Sequence, residues 1–297
     1  MADLSEALRT FYAGDVERMS SILSAAPSLV HERVASSHGH YCGYFFEASL
    51  LHHVAGNPSI LPLPATTLAM AELILDRGAE VDAPTHPGPR QPNDIGWSTL
   101  GLVATSGDAR KSGHQRSLLE LLIRRGADVN FRNGGPLIGA LYYSELEAAR
   151  FLVEHGARVD LIAAAGLGRI DLMRPFAGDG GLLRGDAHTL VHYGQAAGRP
   201  QTAAAILGVA MTYACIGGHR AAVEWLLAHG ASASERTQFD HDATPLHWAA
   251  LHGHREVCEA LLNAGAGRTL RDASFRSTPS GWAAHDGHVE LAQLLAP

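Results

Sequence analysis

The strongest constraint on what this chain can fold into is its likeness to itself. The segment TPLHWAALHGH at 244–254, followed by EVCEALLNAGA at 256–266, returns as TPSGWAAHDGH at 278–288, an offset of 34 residues. An earlier copy, VAMTYACIGGH at 209–219 followed by AVEWLLAHGA at 222–231, stands 35 residues before the first. A unit this short cannot cover its own apolar face, so neighbouring units must stack to build a core. Gly-Ala pairs at 78–79, 126–127, 156–157, 230–231 and 265–266 carry the pattern through most of the chain.

Each marker has a mechanical role. Thr244 is placed to cap a first helix with its hydroxyl, and Pro245 follows at a position where a missing N–H costs nothing. Leu246, Ala249 and Ala250 give a narrow apolar face for close stacking, and Gly265 supplies the left-handed turn that ends the second helix. In period and wording the chain resembles the ankyrin-repeat family, whose unit is a β-turn and two helices. The resemblance implies an all-α solenoid of about eight helix-turn-helix units and a role as a binding module.

The units expected are about 4–30, 49–82, 98–130, 136–160, 161–178, 209–231, 244–267 and 278–297, in one domain over 1–297. Gly78 and Gly126 are 48 residues apart and Gly156 and Gly230 are 74 apart, so chain has been inserted. Segments 31–48, 83–97 and 178–208 fall before a unit's first helix, on the finger side that faces the concave groove. Segments of about 56–66 and 106–116 fall between paired helices. Insertions on one face commonly mark a binding face, and three on one side would make a lid.

In the family the residue after the TPLH histidine points into the groove. Read along the stack, that position holds His53, Leu102, Gly139, Ala163, Tyr213, Trp248 and Trp282. The aromatic run suits a peptide or a planar ligand, with Trp97, Tyr41, Tyr44 and Tyr193 as further binding residues; equally, Trp248 and Trp282 suit packing against neighbouring fingers. Small Gly139 and Ala163 before the 178–208 insertion leave room for a ligand pocket, or else permit tighter curvature of the stack.

Several of the 18 histidines are structural by position. His52 and His247 take the TPLH slot that bridges neighbouring fingers, His219, His254 and His288 the slot between paired helices, and His155 and His229 a helix end. His86, His188, His192 and His241 remain on the finger side. His38, His40 and Cys42 alternate as metal ligands can, but no fourth ligand is fixed by the sequence, so no metal and no cofactor is assigned.

A different reading is a small-molecule enzyme, a hydrolase, lyase or isomerase, with His53, Glu47, Asp94 and His192 as general acids and bases in a loop-covered trough. Such an enzyme should bury Tyr213, Trp248 and Trp282 beneath the insertions, whereas an open partner site should leave them accessible. Nucleophile, phosphate and zinc-protease motifs are absent from the sequence, and Ser49 and Ser98 sit in helix-capping slots.

With 46% hydrophobic residues the chain has ample apolar surface to bury, so disorder is not expected. A formal charge of -7 without a basic block argues against nucleic acid. Three scattered cysteines give neither a disulfide framework nor a zinc knuckle and fit reducing cytosol. No membrane span or leader is read, and the expected location is cytoplasmic, with protein, peptide or small molecule as partner. An apolar end at Trp282 and the last helix would suit a homodimer.

Overall fold

The computed structural model describes residues 3–34, 45–56, 60–86, 96–178, 202–236 and 240–296. Every named element among them is helical, and an isolated bridge pairs Arg33 with Ser49. The chain divides into two compact units, Met1–Ala140 with Glu147–Ala157, and Leu141–Leu146 with Arg158–Pro297.

The first unit begins with α1 (Leu4–Ala13) and α2 (Val16–Ala25). Asp3 and Asp15 start them, their carboxylates accepting from the backbone N–H of Glu6 at 2.8 Å and of Arg18 at 2.9 Å. A 3-10 helix, Leu50–Ala55, pairs with α3 (Thr67–Asp76), and α4 (Thr99–Ala104) pairs with α6 (Gln115–Arg124). Between these last two lies α5 (Gly107–Lys111), so the segment expected as a loop at 106–116 is partly helical. It forms because Ser106 caps it, accepting from the backbone N–H of Ala109 at 3.0 Å, and donates its hydroxyl to the Ala55 carbonyl. α7 (Phe131–Tyr142), broken near its start by left-handed φ at Arg132, Asn133 and Gly134, and α8 (Leu146–Glu154) follow, each crossing the division between the units.

The second unit continues with α9 (Leu161–Gly166), α10 (Ile170–Met173), α11 (Ala203–Ile216), α12 (Arg220–Ala228), α13 (Pro245–Leu251), α14 (Arg255–Asn263), α15 (Pro279–His285) and α16 (Val289–Leu295). First helices α9, α11, α13 and α15 pack side by side, and α10, α12 and α14 form a second row against them. α11 starts at Ala203, inside the stretch expected as an insertion to 208. Thr202 caps it at Ala205 with a 3.2 Å bond, and every residue from Ile206 to Ile216 is buried. Its run AAAILGVAMTYACI combines good helix formers with surface that must be covered, so the helix extends as far as its cap allows.

The Gly-Ala markers do what their position implied. Gly78, Gly126, Gly156, Gly230 and Gly265 all have left-handed φ between 89° and 94°, ending the second helix of their unit.

The inter-helix histidines form a second repeated device. His219 packs on Gly168, His254 on Gly218 and His288 on Gly253, where an added Cβ would come within 2.6 Å of each ring. Their Nε2 atoms donate to the carbonyls of Gly166, Ile216 and Leu251, 3.0 to 3.1 Å away. These carbonyls end the first helix of the preceding repeat, so each imidazole satisfies an orphan acceptor and locks two repeats together.

Candidate functional site

The TPLH position builds the same bridge in both units. Thr244 starts α13, and the Nδ1 of His247 accepts from the Thr244 backbone N–H at 3.2 Å with the Thr244 Oγ1 2.7 Å away. Its Nε2 therefore carries the proton and donates to the Ser277 carbonyl in the following finger at 3.1 Å. In the first unit Ser49, His52 and the Ala83 carbonyl repeat the arrangement at 2.9 and 2.8 Å. Burial pulls the His52 pKa down to about 4, and His247 is also lowered, again chiefly by burial, so both rings are neutral near pH 7.

At the neighbouring position His53 is fully buried, edge-on to Phe11, Tyr12 and Phe45, with its Nδ1 2.9 Å from the Tyr12 hydroxyl. Burial, reinforced by adjacent His52, lowers its pKa to about 3. An imidazole that takes a proton only near pH 3 is a weak general base at neutrality. Glu47, half-buried, has left-handed φ of 50°, and its carbonyl, with that of Pro84, accepts from the Arg33 guanidinium. Asp94, His192, Tyr41, Tyr44, Tyr193, His188, His38, His40 and Cys42 lie outside the described residues.

The room expected over Gly139 is filled. The Trp97 ring lies across it: a Cβ on Gly139 would meet Trp97 Cη2 and Cζ3 at 2.9 Å and Thr105 Cγ2 at 2.8 Å. Trp97 is buried, and its backbone pairs with Thr85 through N–H to Oγ1 and C=O to N–H contacts of 2.9 Å. At this position the small residue admits a tryptophan from the chain itself, not a ligand. Ala163 is likewise fully buried on α9, and Gly166 on the same helix meets Leu141 and Tyr213 closely enough that a Cβ there would sit 3.2 to 3.3 Å from them.

Tyr213, Trp248 and Trp282, expected in the groove, are all buried in the second unit. Trp248 and Trp282 meet edge to face at 5.3 Å, an attractive ring geometry. Their burial comes from the fingers. Trp282 donates its indole N–H to Asp272 at 3.1 Å, and His241 stacks on Trp248 at 6.3 Å and meets Trp282 edge-on at 5.9 Å.

Around this pair the structure gathers rings that the groove reading passed over. Tyr143 contacts Tyr142 at 5.0 Å, Tyr142 contacts Trp248 at 6.1 Å, and Phe275 contacts Trp282 at 6.3 Å and His241 at 4.9 Å. The row runs Tyr143, Tyr142, Trp248, Trp282, Phe275. Its middle is buried and its ends are open: Tyr143 is 44% exposed and Phe275 is 66% exposed. The repeat pattern does not single out Phe275; a phenylalanine inside the polar turn RDASFRS is the one sequence signal that could have done so.

Phe275 is held out by a rigid turn. The buried Asp272 carboxylate accepts from the backbone N–H of Phe275 at 2.6 Å and of Ser277 at 2.9 Å, besides the Trp282 indole. Burial pushes its carboxyl up, but these donors outweigh that and hold it below the usual carboxylate range. The turn is closed by Asp272 N–H to the Ser277 carbonyl and tied to the previous finger by Ala273 N–H to the His241 carbonyl at 2.9 Å.

Capped first helices, closing left-handed glycines and histidines bridging repeat to repeat define an ankyrin-repeat protein, and the chain belongs to that family. Residues 205–272, within the second unit, match the family model for ankyrin repeats in three copies. The chain is 38% identical over 209 residues to the ankyrin repeat and KH domain-containing protein mask-1 of Caenorhabditis elegans. That match covers 68% of this chain and 7% of the relative. Ankyrin repeats are generally protein-protein interaction modules. Among the described residues, no helix is long and apolar enough to cross a membrane.

Proposed function

We propose that this chain is a protein-binding module whose working face is the ring row of the second unit, taking an extended peptide segment of a partner. The observation that carries the reading is the 66% exposure of Phe275 at the tip of a hydrogen-bonded turn. A large apolar ring held in water by a rigid turn gains free energy only when something covers it, and its fixed geometry lowers the entropy cost of being covered. Tyr143 at the opposite end supplies a second exposed anchor, and aromatic anchors of this kind dominate binding energy.

Burial of Tyr213, Trp248 and Trp282, expected for an enzyme, has a scaffolding cause in this reading: the two tryptophans are the platform on which finger and anchors sit. The acid-base alternative has no matching support, because His53 is neutral and packed in an aromatic core.

The reading is tested by selecting a displayed library of random 12-residue peptides against the full chain, then titrating synthesised winners. Phe275→Ser and Tyr143→Ser should each weaken binding about tenfold, as expected for losing an anchor of about 1.4 kcal/mol, without altering the circular dichroism spectrum. Winners indifferent to both substitutions, or no winners at all, would remove the ring row as the binding face.

A further inference from the structure

We propose that the 268–277 turn reads charge as well as shape, selecting a partner segment in which an acidic residue stands beside an apolar one. This inference rests on the binding reading above and adds the chemistry of the occupant.

The turn carries Arg268, Arg271 and Arg276 against one carboxylate, Asp272. The three arginines are exposed, and Asp272 is turned inward with its oxygens taken up by three donors. Everything charged that this turn shows to solvent is therefore positive, on a chain whose formal charge is -7. Local sign opposed to net sign is a selective device: the net charge disfavours an acidic partner, and this turn offers it a locally positive surface.

Two of the guanidiniums are also positioned. Arg271 donates through Nη1 to the Arg276 carbonyl at 2.6 Å, and Arg268 donates through Nη1 to the Leu294 carbonyl at 3.1 Å. Arg236 of the preceding finger donates through Nη2 to the Arg271 carbonyl, fixing the backbone beneath. A guanidinium has five N–H donors, so one bond to a carbonyl orients it and leaves a fork for a carboxylate. Arg276 has left-handed φ of 53° and directly follows Phe275 in the chain, so charge and ring are presented within one turn. An acidic side chain next to a phenylalanine or leucine on an extended segment matches that spacing. On the preceding finger Asp242 pairs with Arg236 at 3.8 Å, so that carboxylate faces a cation of its own.

The same displayed 12-residue library decides the point. Peptides recovered with the full chain should be enriched in Asp and Glu adjacent to Phe, Leu or Trp. Titrated as synthetic peptides by fluorescence anisotropy, the best should lose tenfold or more in affinity to Arg276→Glu and to Arg271→Gln. Raising salt from 50 to 500 mM should weaken them severalfold, with the melting temperature of each variant near that of the parent. Peptides that need Phe275 but show no acidic excess, or whose affinity stays within twofold in both arginine variants, would overturn the charge reading while leaving the ring row standing. Winners indifferent to Phe275 and to both arginines would overturn both.

Discussion

Lowering the pH from 6.5 to 4 is expected to destabilise the protein by on the order of 3 kcal/mol through His52 alone, in a window that opens well above the carboxylate range. His52 illustrates the cause. In the folded chain its Nδ1 accepts from the Ser49 backbone N–H, so a second ring proton would face another donor across 2.9 Å inside a buried site. Burial lowers its folded pKa to about 4, from an unfolded value of 6.5, and that of His53 to about 3. Between these values the unfolded chain binds more protons than the folded one, so stability is full above pH 6.5 and falls as the pH drops towards the folded pKa. Asp272 behaves oppositely in position: its stabilisation, present above the usual carboxylate range, is lost only below about pH 4. Urea unfolding at half-unit pH intervals separates the two windows. His52→Gln should be less stable at pH 7 but show a flatter loss between 6.5 and 4; an unchanged slope would mean that the bridge is not the titrating element.

Gly253→Ala should cost about 3 kcal/mol, whereas Gly230→Ala, with an equally left-handed φ, should cost about 1. Gly253 has φ of 72° and Gly230 of 93°, so both carry backbone strain once a Cβ is added. The difference lies in what the Cβ meets. At Gly230 nothing lies within 4 Å; at Gly253 it would stand 2.6 Å from Cε1 of His288 and 2.8 Å from both ring nitrogens. The ring must then swing out, abandoning the Leu251 carbonyl that it reaches at 3.1 Å, which adds the cost of an unsatisfied acceptor. In a His288→Ala background the Gly253 substitution should fall back to about 1 kcal/mol. Equal costs at the two glycines would show that the histidine adds nothing to the coupling between repeats.

Much of the architecture was legible because its markers act locally. Thr278 and Ser98 cap because a hydroxyl one turn before an apolar run has a backbone N–H to meet, and Gly265 turns left-handed because the chain must leave a helix there. His52 and His247 follow from the same logic, since each imidazole bonds within its own first turn before reaching the next finger. What escaped depends on chain returning from a distance. Gly139 reads equally well as room for a ligand or as a point of tighter curvature, and only the return of residues near Thr85 and Gly96 places Trp97 on it. Tyr142, Tyr143 and Phe275 belong to no position of the repeat, so the period that identifies everything else is silent about them. His53 reads as catalytic in the expected company of Glu47 and Asp94, yet Phe11, Phe45 and Tyr12 close around it and make it core.

The central claim, that partners are held by the ring row of the second unit, is tested most directly by the indole N–H resonances of the four tryptophans. A selected peptide added to the full chain should shift Trp248 and Trp282, which lie in the row, and leave Trp97 and Trp225 unmoved. Shifts at Trp97 or Trp225 with Trp248 and Trp282 unchanged would place binding elsewhere and contradict the assignment.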